Sequence, residues 1–557
     1  MKTRFLNKMA ALLAVLLLFS CTGKFEEYNT DNTGFTDEQK TYDYNTFGVW
    51  LKVVQMGIYF NYDWGSGKNW HFQTMQNLNA DMFSGYMHDF KPFNAGLGNT
   101  VYNLQDGWNG TMWDNTYGYI MTEIKQTEDH SRDKYPAFYA IAKILKVEIM
   151  HRISDYYGPI VYTKFGESDA GVMPDSQKDA YYAFFQDLGE AIHLLSEYDG
   201  EETFSRFDMI MPENYRTFGE WMRFANSLRL RLAIRIAMAD PDKARDEAHK
   251  SLTHPAGLLE EAYEVVAVST AGTGYSNPLG EINKAWGEVF MNANMESILK
   301  GYKDPRLSRY FEPATGQGYS GEYRGIRQGT GFNHSRYSEH SRSTITQKTD
   351  AILMTPAEVW FLRAEAALRG WSGEDAGTCY EQGVRSSFNQ WRVGEANAYL
   401  QSDHVAADFV DTFTPDYSAK ALCLVSPAWD EEASRETKLE KIITQKWIAC
   451  YPEGCEAWAE QRRTGYPRLF PVLVNKSNGK IDMRTMIRRL NFPVSIISGN
   501  PAQYSALCEY LGGPDTGGTR LWWDTEPHSV IWRLIFPLPA DRIPRFLKKH
   551  YLWHRKL

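Results

Sequence analysis

Thr355-Pro356-Ala357-Glu358-Val359-Trp360-Phe361-Leu362-Arg363-Ala364-Glu365-Ala366-Ala367-Leu368-Arg369-Gly370 reads as a helix with both ends written into it. Thr355 caps the start, Pro356 takes the first helical position, where no N–H is needed, and Glu358 can reach back from the third. Gly370 can adopt the left-handed conformation that stops the helix near Arg369. A second helix is expected after Ser372, continuing to about Trp391. The pair has roughly the length of one tetratricopeptide unit. Trp360, Ala364, Ala376, Tyr380 and Gly383 fall at that repeat's large and small positions, whereas Arg363 and Ala367 stand where it prefers large apolar groups.

The same periodicity recurs on either side. Phe138, Ile141, Ala142, Leu145 and Ile149 keep the spacing of one helix face, in a segment expected to end before Asp155-Tyr156-Tyr157-Gly158-Pro159. A further pattern runs from Tyr181 to Leu195. A long one passes through Phe218, Trp221, Ala225, Leu228, Leu232 and Ile236 and stops at Asp240-Pro241. Its other faces carry Leu230 and Ile234 among Arg223, Arg229, Arg231 and Arg235, so it is expected to pack between neighbours. A helical hairpin is expected from Lys438 to Arg463.

Long irregular stretches separate these blocks. Trp64 to Asn115 is rich in Gly, Asn, Asp and aromatics, and Gly316 to Arg342 in Gly, Ser, Tyr and Arg; loops of this length are usually functional. Aromatic content is the compositional outlier, with 17 Trp and 33 Tyr in 557 residues. Most of these rings must fill the core. Those in Gly/Asn-rich segments suit carbohydrate recognition, because flat amphipathic rings stack on sugar faces while amides and carboxylates take the hydroxyls.

The chain is 43% hydrophobic and 23% charged, the balance of a soluble globular protein. A net charge of −9 argues against a general nucleic-acid binder and against electrostatic adhesion to anionic lipid. At the amino end, Lys2, Arg4 and Lys8 precede an apolar run from Met9 to Phe19, which is a secretory signal too short to span a bilayer. It ends in Leu18-Phe19-Ser20-Cys21, which resembles a bacterial lipobox. Residues 1–20 are therefore expected to be a lipoprotein signal peptide, with Cys21 lipidated and the mature protein outside the cytoplasm; several acyl chains anchor stably where one does not. Residues 21–46 form a polar tether. Within it Lys24-Phe25-Glu26-Glu27 carries acidic residues of the kind that mark lipoproteins for surface export in some gram-negative lineages. No later run approaches a membrane span. Cys379, Cys423, Cys450, Cys455 and Cys508 form a poor disulfide framework, although Cys450 and Cys455 could pair through the turn at Pro452 and Gly454; structural cysteines are the better expectation.

Several strings together resemble the SusD/RagB-like outer-membrane lipoproteins of Bacteroidetes. They are the lipobox, Gln76-Asn77-Leu78-Asn79-Ala80-Asp81-Met82-Phe83-Ser84-Gly85-Tyr86, and His151-Arg152-Ile153-Ser154-Asp155-Tyr156-Tyr157-Gly158-Pro159-Ile160. Leu362 to Ala367, Lys446-Trp447-Ile448 and Leu521-Trp522-Trp523-Asp524 continue the match, which spans nearly the whole chain. The resemblance implies an all-α fold: four tetratricopeptide-like helix pairs forming a superhelical scaffold under a long loop-rich face, here over residues 47–524. It also implies capture of oligosaccharides, or of peptides in some members, by a lid on a SusC-like TonB-dependent transporter in the outer membrane. Carried onto this chain, the ligand-binding candidates are Trp64, Trp70, Tyr86 and Trp108, then Tyr319, Tyr323 and Tyr337, with Asn79 and Asp81 as polar partners. Only a minority of these are expected to touch ligand.

One departure stands out. The family commonly stops near Trp522-Trp523-Asp524, whereas residues 525–557 continue as a basic, Pro-containing extension. It is open to three readings, a genuine extension, a membrane-surface contact or sequence translated past the usual end by a frameshift; the last is favoured, and the tail is expected to pack poorly. No cofactor is implied and no metal site is expected. Glu148/His151 and Glu190/His193 have the Glu-x-x-His spacing of di-iron bundles but lack the further helical Glu residues that such a site needs. A secreted glycoside hydrolase would need a carboxylate pair across a cleft, and nothing in the sequence singles one out.

Overall fold

A computed structural model describes residues 44–60, 70–89, 91, 93–167, 172–330 and 334–525. Cys21, Trp64 and all of the extension after residue 525 lie outside the described residues. The chain divides into Met1–Val49 and Trp50–Leu557. Of the first unit, Tyr44–Val49 are described and open helix α1 (Asn45–Ile58).

The second unit is built from helices α2 (Met121–Ser131), α3 (Pro136–Tyr157), α4 (Gln177–Leu195), α5 (Phe218–Arg235), α6 (Pro241–Leu252), α7 (Ala293–Tyr302), α8 (Pro356–Leu368), α9 (Ala376–Trp391), α10 (Arg435–Ala449) and α11 (Gly454–Thr464). Helices α3 and α4, α5 and α6, α8 and α9, and α10 and α11 pack as pairs. Contacts of α4 with α5, α5 with α8 and α8 with α10 stack those pairs into one scaffold, as in tetratricopeptide solenoids. Two short antiparallel ribbons brace the loops: β1 (Met87–Asp89) with β3 (Val289–Met291), and β2 (Val266–Val268) with β4 (Ala351–Met354).

The pair α8/α9 shows how local signals become packing. Thr355 Oγ1 accepts from the Glu358 N–H at 3.1 Å, and Gly370 takes a φ of +74° just past the end. Asp375 caps α9 by accepting from the Thr378 N–H at 2.7 Å. Gly383 lets the helices close, since a Cβ there would lie 2.8 Å from the Phe361 ring. Two expectations change. Glu358 does not turn back to the cap: its carboxylate takes two hydrogen bonds of 2.7 Å from Arg231. The large buried residue is Phe361 rather than Trp360; the Trp360 indole donates to the Glu260 carbonyl at 3.0 Å under the Arg363 guanidinium, 3.8 Å from the ring centroid.

Helix α3 also outruns its expected end. It continues through Asp155, Tyr156 and Tyr157, and Gly158 (φ +95°) breaks it. The extension holds because Asp155 accepts from Tyr181 at 2.5 Å and from the Trp523 indole at 2.8 Å, so polar groups at its end are satisfied internally. The hairpin expected from Lys438 to Arg463 is α10 and α11. Glu453 caps α11 by accepting from the Cys455 and Glu456 N–H groups at 3.2 and 2.8 Å. Cys450 and Cys455 are free buried thiols, as is Cys423, and no pairing forms across the turn.

The arginines of α5 are the least expected part of the core. Arg231 and Arg235 are buried, and Arg235 binds Glu460 at 2.5 Å and also Glu456. Lys446 meets Glu456 at 2.7 Å, and Arg463 meets Glu365 at 2.6 Å and Glu460 at 2.7 Å. Burial pushes the Glu365 carboxyl up, but the guanidiniums of Arg463 and Arg369 outweigh it and hold the group down at about 2. The Glu-x-x-His pair on α3 belongs to the same system: Glu148 accepts from Arg152 at 2.8 Å, and His151 Nδ1 bonds the Val147 carbonyl at 3.0 Å. No cluster of three or more potential metal ligands occurs among the described residues.

Candidate functional site

The strings that carry the resemblance meet one another in the interior. Tyr86 donates to the Trp447 carbonyl, and the Trp447 indole donates to the Ser84 carbonyl at 2.8 Å. Asp524 binds Arg488 through a 2.6 Å hydrogen bond, beside the Trp523–Asp155 contact. These strings therefore write the fold.

That placement corrects three of the expected ligand contacts. Asn79, Asp81 and Tyr86 are fully buried. Asn79 donates to the Thr74 carbonyl at 2.7 Å and accepts from Asn99, and Asp81 accepts from Gln76 at 3.1 Å. With no exposed surface, they present nothing to an external ligand. Asp81 also sits against the start of α11, where a Cβ at Gly454 would lie 2.3 Å from its Oδ1. Burial pushes its carboxyl up to about 7 against the Gln76 hydrogen bond. Tyr337 is buried too; its hydroxyl bonds both oxygens of Asp411 at 3.1 Å. Tyr319 and Tyr337 pack with His340 and Phe413, ring centroids 5.0–6.1 Å apart, so this group knits the 316–342 segment to the 411–414 turn. Tyr323 is half-buried.

Trp70 is different. It opens the single turn Trp70–Phe72 and is 49% exposed. Its indole stacks on the His71 ring at 3.7 Å and 29°. His71 contacts Phe60 at 5.6 Å, and Phe60 contacts Tyr119 at 5.7 Å. The outer rings, Trp70 and the 52%-exposed Tyr119, thus rest on two buried ones. Below, Phe72 packs on Tyr59 at 5.7 Å, and Thr74 Oγ1 ties the turn to Thr111 Oγ1 at 3.2 Å. Both ends of the platform adjoin π-helical segments, Gln73–Asn77 and Thr116–Ile120. Such wide turns re-aim side chains and are frequent at functional sites. Trp108, half-buried, stands edge-on to Phe93 at 6.0 Å in the same loop region.

Tyr119 was not among the expected contacts. Its signal was faint: Tyr117-Gly118-Tyr119 lies just beyond the loop as bounded, in a segment without amphipathic period. Beside Trp70, one turn on, Gln73 Nε2 donates to Glu288 Oε2 at 2.6 Å, and Glu288 pairs with Lys91. A void of about 10 Å³ lined by Tyr102, Asn292, Asn294 and Leu469 holds no more than a water, far too little for a sugar ring. The platform lies at the surface and not in a cavity.

Stacked helix pairs carrying an aromatic, loop-built surface define a binding protein of the helical-repeat class. The chain matches the SusD-like family model, described as Susd and RagB outer membrane lipoprotein, over residues 27–524. It belongs to that family. A solved SusD homologue from Bacteroides vulgatus is 46% identical, with a TM-score of 0.82 over 88% of this chain and 99% of that one. A chitin-binding SusD homologue from Flavobacterium johnsoniae is 39% identical, with a TM-score of 0.82 over 87% and 99%. A homologue from Bacteroides thetaiotaomicron is 30% identical, with a TM-score of 0.78 over 86% and 99%. No curated protein matches the chain.

Proposed function

We propose that this outer-membrane lipoprotein captures oligosaccharides at the cell surface on the Trp70–Tyr119 platform. It passes them, chemically unchanged, to a SusC-like TonB-dependent transporter. The observation that carries the reading is the platform itself: exposed rings at both ends, fixed by buried rings between them, match the stacking chemistry of sugar faces. The chitin-binding relative from Flavobacterium johnsoniae supports a glycan ligand. Residues 1–20 serve as the leader, Cys21 as the anchor, 21–46 as the tether, 47–524 as the binding body and 525–557 as an extension outside it. Anchoring at Cys21 keeps the platform beside the transporter and raises effective ligand concentration, so modest affinity is enough. Trp64, Trp108 and Tyr323 are further candidate contacts.

Glycan and peptide arrays probed with the full-length protein test the reading. Binding to oligosaccharides that falls in Trp70→Ala supports it; binding to peptides alone points to the peptide-capturing alternative. Release of reducing sugar that a single carboxylate substitution abolishes would make the protein a hydrolase and overturn it. Cys21→Ala is expected to bind normally in solution and to impair uptake by cells; loss of binding in the purified variant would show that anchor and site are coupled.

A further inference from the structure

We propose that Lys91, held by the buried Glu288, is the polar contact of the Trp70 platform, and that this subsite takes a neutral oligosaccharide in preference to an anionic one. The inference rests on the reading of the platform as glycan-binding.

Glu288 is too enclosed to meet a ligand, with its side chain 5% exposed. It is fixed by its own backbone, whose N–H bonds the Ile282 carbonyl at 3.1 Å, and it immediately precedes the β1/β3 ribbon in which Val289 faces Asp89. One carboxylate oxygen accepts from Gln73 at 2.6 Å and the other from Lys91. Glu288 is therefore a positioning residue. It ties the turn after Trp70 to the chain after β1 and sets the direction of the Lys91 ammonium. Lys91 is 50% exposed. An ammonium has three donors, and with one spent on Glu288 the others can serve ring hydroxyls or an acetamido carbonyl. Trp70 then supplies the stacking face and Lys91 the directional hydrogen bonds.

The charge balance sets the ligand class. The Lys91 ammonium is paired with the Glu288 carboxylate, so the pair brings no surplus positive charge to the rim. A uronate or sulfated sugar would gain little from a lysine already paired and would be repelled by the Glu288 carboxylate beside it. A neutral sugar suffers no such repulsion.

The test uses the full-length protein in detergent, with chitohexaose, maltohexaose and xylohexaose as neutral probes and hexagalacturonate as the anionic one. The wild type is expected to prefer at least one neutral probe. Lys91→Met should weaken that binding by on the order of tenfold, the scale of a lost charge-assisted hydrogen bond, in a variant that circular dichroism shows to be folded. Glu288→Gln should bind hexagalacturonate several-fold tighter than the wild type, because Lys91 is left unpaired; a merely structural role would not move that selectivity. Preference of the wild type for hexagalacturonate, or unchanged selectivity in Glu288→Gln, overturns the inference. Loss of binding in Trp70→Ala with none in Lys91→Met overturns the inference and leaves the platform standing. A wild type that binds no neutral probe overturns both.

Discussion

In the helix pairs, Arg231, Arg235, Lys446 and Arg463 face Glu358, Glu460, Glu456 and Glu365 at 2.5–2.7 Å, all out of water. Under the loop face, Asp81 and Asp89 are buried as deeply, yet among the described residues no arginine or lysine pairs with either. The scaffold neutralises its buried charges by contact, whereas the loop region keeps two carboxyls that are stable in the dry interior mainly as acids. Burial pushes both up to about 7. The contrast teaches where conformational specificity comes from. Buried ion pairs contribute little net stability but penalise any packing in which one partner is missing. On the loop face Trp70 and Tyr119 stay about half exposed instead of being drawn into the interior.

Breaking one scaffold pair should have the largest effect on folding. Arg231→Met leaves Glu358 facing only Lys446 at 3.7 Å and is expected to cost about 3–5 kcal/mol in urea unfolding. A cost below about 1 kcal/mol would mean that the network is not under strain of desolvation. Gly454→Ala comes next. The new methyl would lie 2.7 Å from the Asp81 Cα, which cannot swing aside as a side chain could, and about 1–3 kcal/mol should be lost.

Opposite pH dependences sharpen the contrast further. The folded carboxyl of Asp81 titrates near 7 against an ordinary 3.8, so the folded state binds its proton more tightly than the unfolded one. Stability contributed at low pH is lost as pH rises from about 4 to about 7. Asp81→Asn should flatten that limb and gain stability over wild type at pH 8. Glu365 is the converse, at about 2 against 4.5: its contribution is present above pH 4.5 and disappears as pH falls towards 2. Glu365→Gln should flatten the acid limb. Parallel limbs in variant and wild type, in either case, would sink the assignment.

The smallest folding effect is expected at the platform. Trp70→Ala and Tyr119→Ala should each change stability by less than about 0.5 kcal/mol. Their effect should instead fall on oligosaccharide binding measured by titration calorimetry, with Trp70→Ala the greater. A platform variant that unfolds the protein would place these rings in the scaffold's category.

Helix ends were legible because they are local. Thr355, Pro356 and Gly370 act within four residues of themselves, and each does what its chemistry requires. The partner of Glu358 was not legible, since Arg231 lies 127 residues away. Reading Glu358 as a capping group was locally reasonable and was outcompeted by a guanidinium that only the folded chain brings near. The same holds for Asn79, Asp81 and Tyr86. Their residue types suit a glycan site equally well, and nothing nearby in sequence says that Asn99, Gly454 and Trp447 will enclose them. Trp70 was named among the ligand contacts and Tyr119 was not, because exposure has no periodic signature in an irregular segment.

From its sequence alone, this protein declared a helix-pair scaffold, aromatic loops and a lipidation motif ahead of both. Caps, period and the lipobox depend on neighbours a few residues apart, and those are fixed by the order of the chain. Only the tertiary structure decided which aromatics face outward, which arginines are dry, and that Lys91 and Gln73 converge on Glu288. Those properties depend on side chains brought together across hundreds of residues, and burial at each of them is set by what the rest of the fold leaves uncovered.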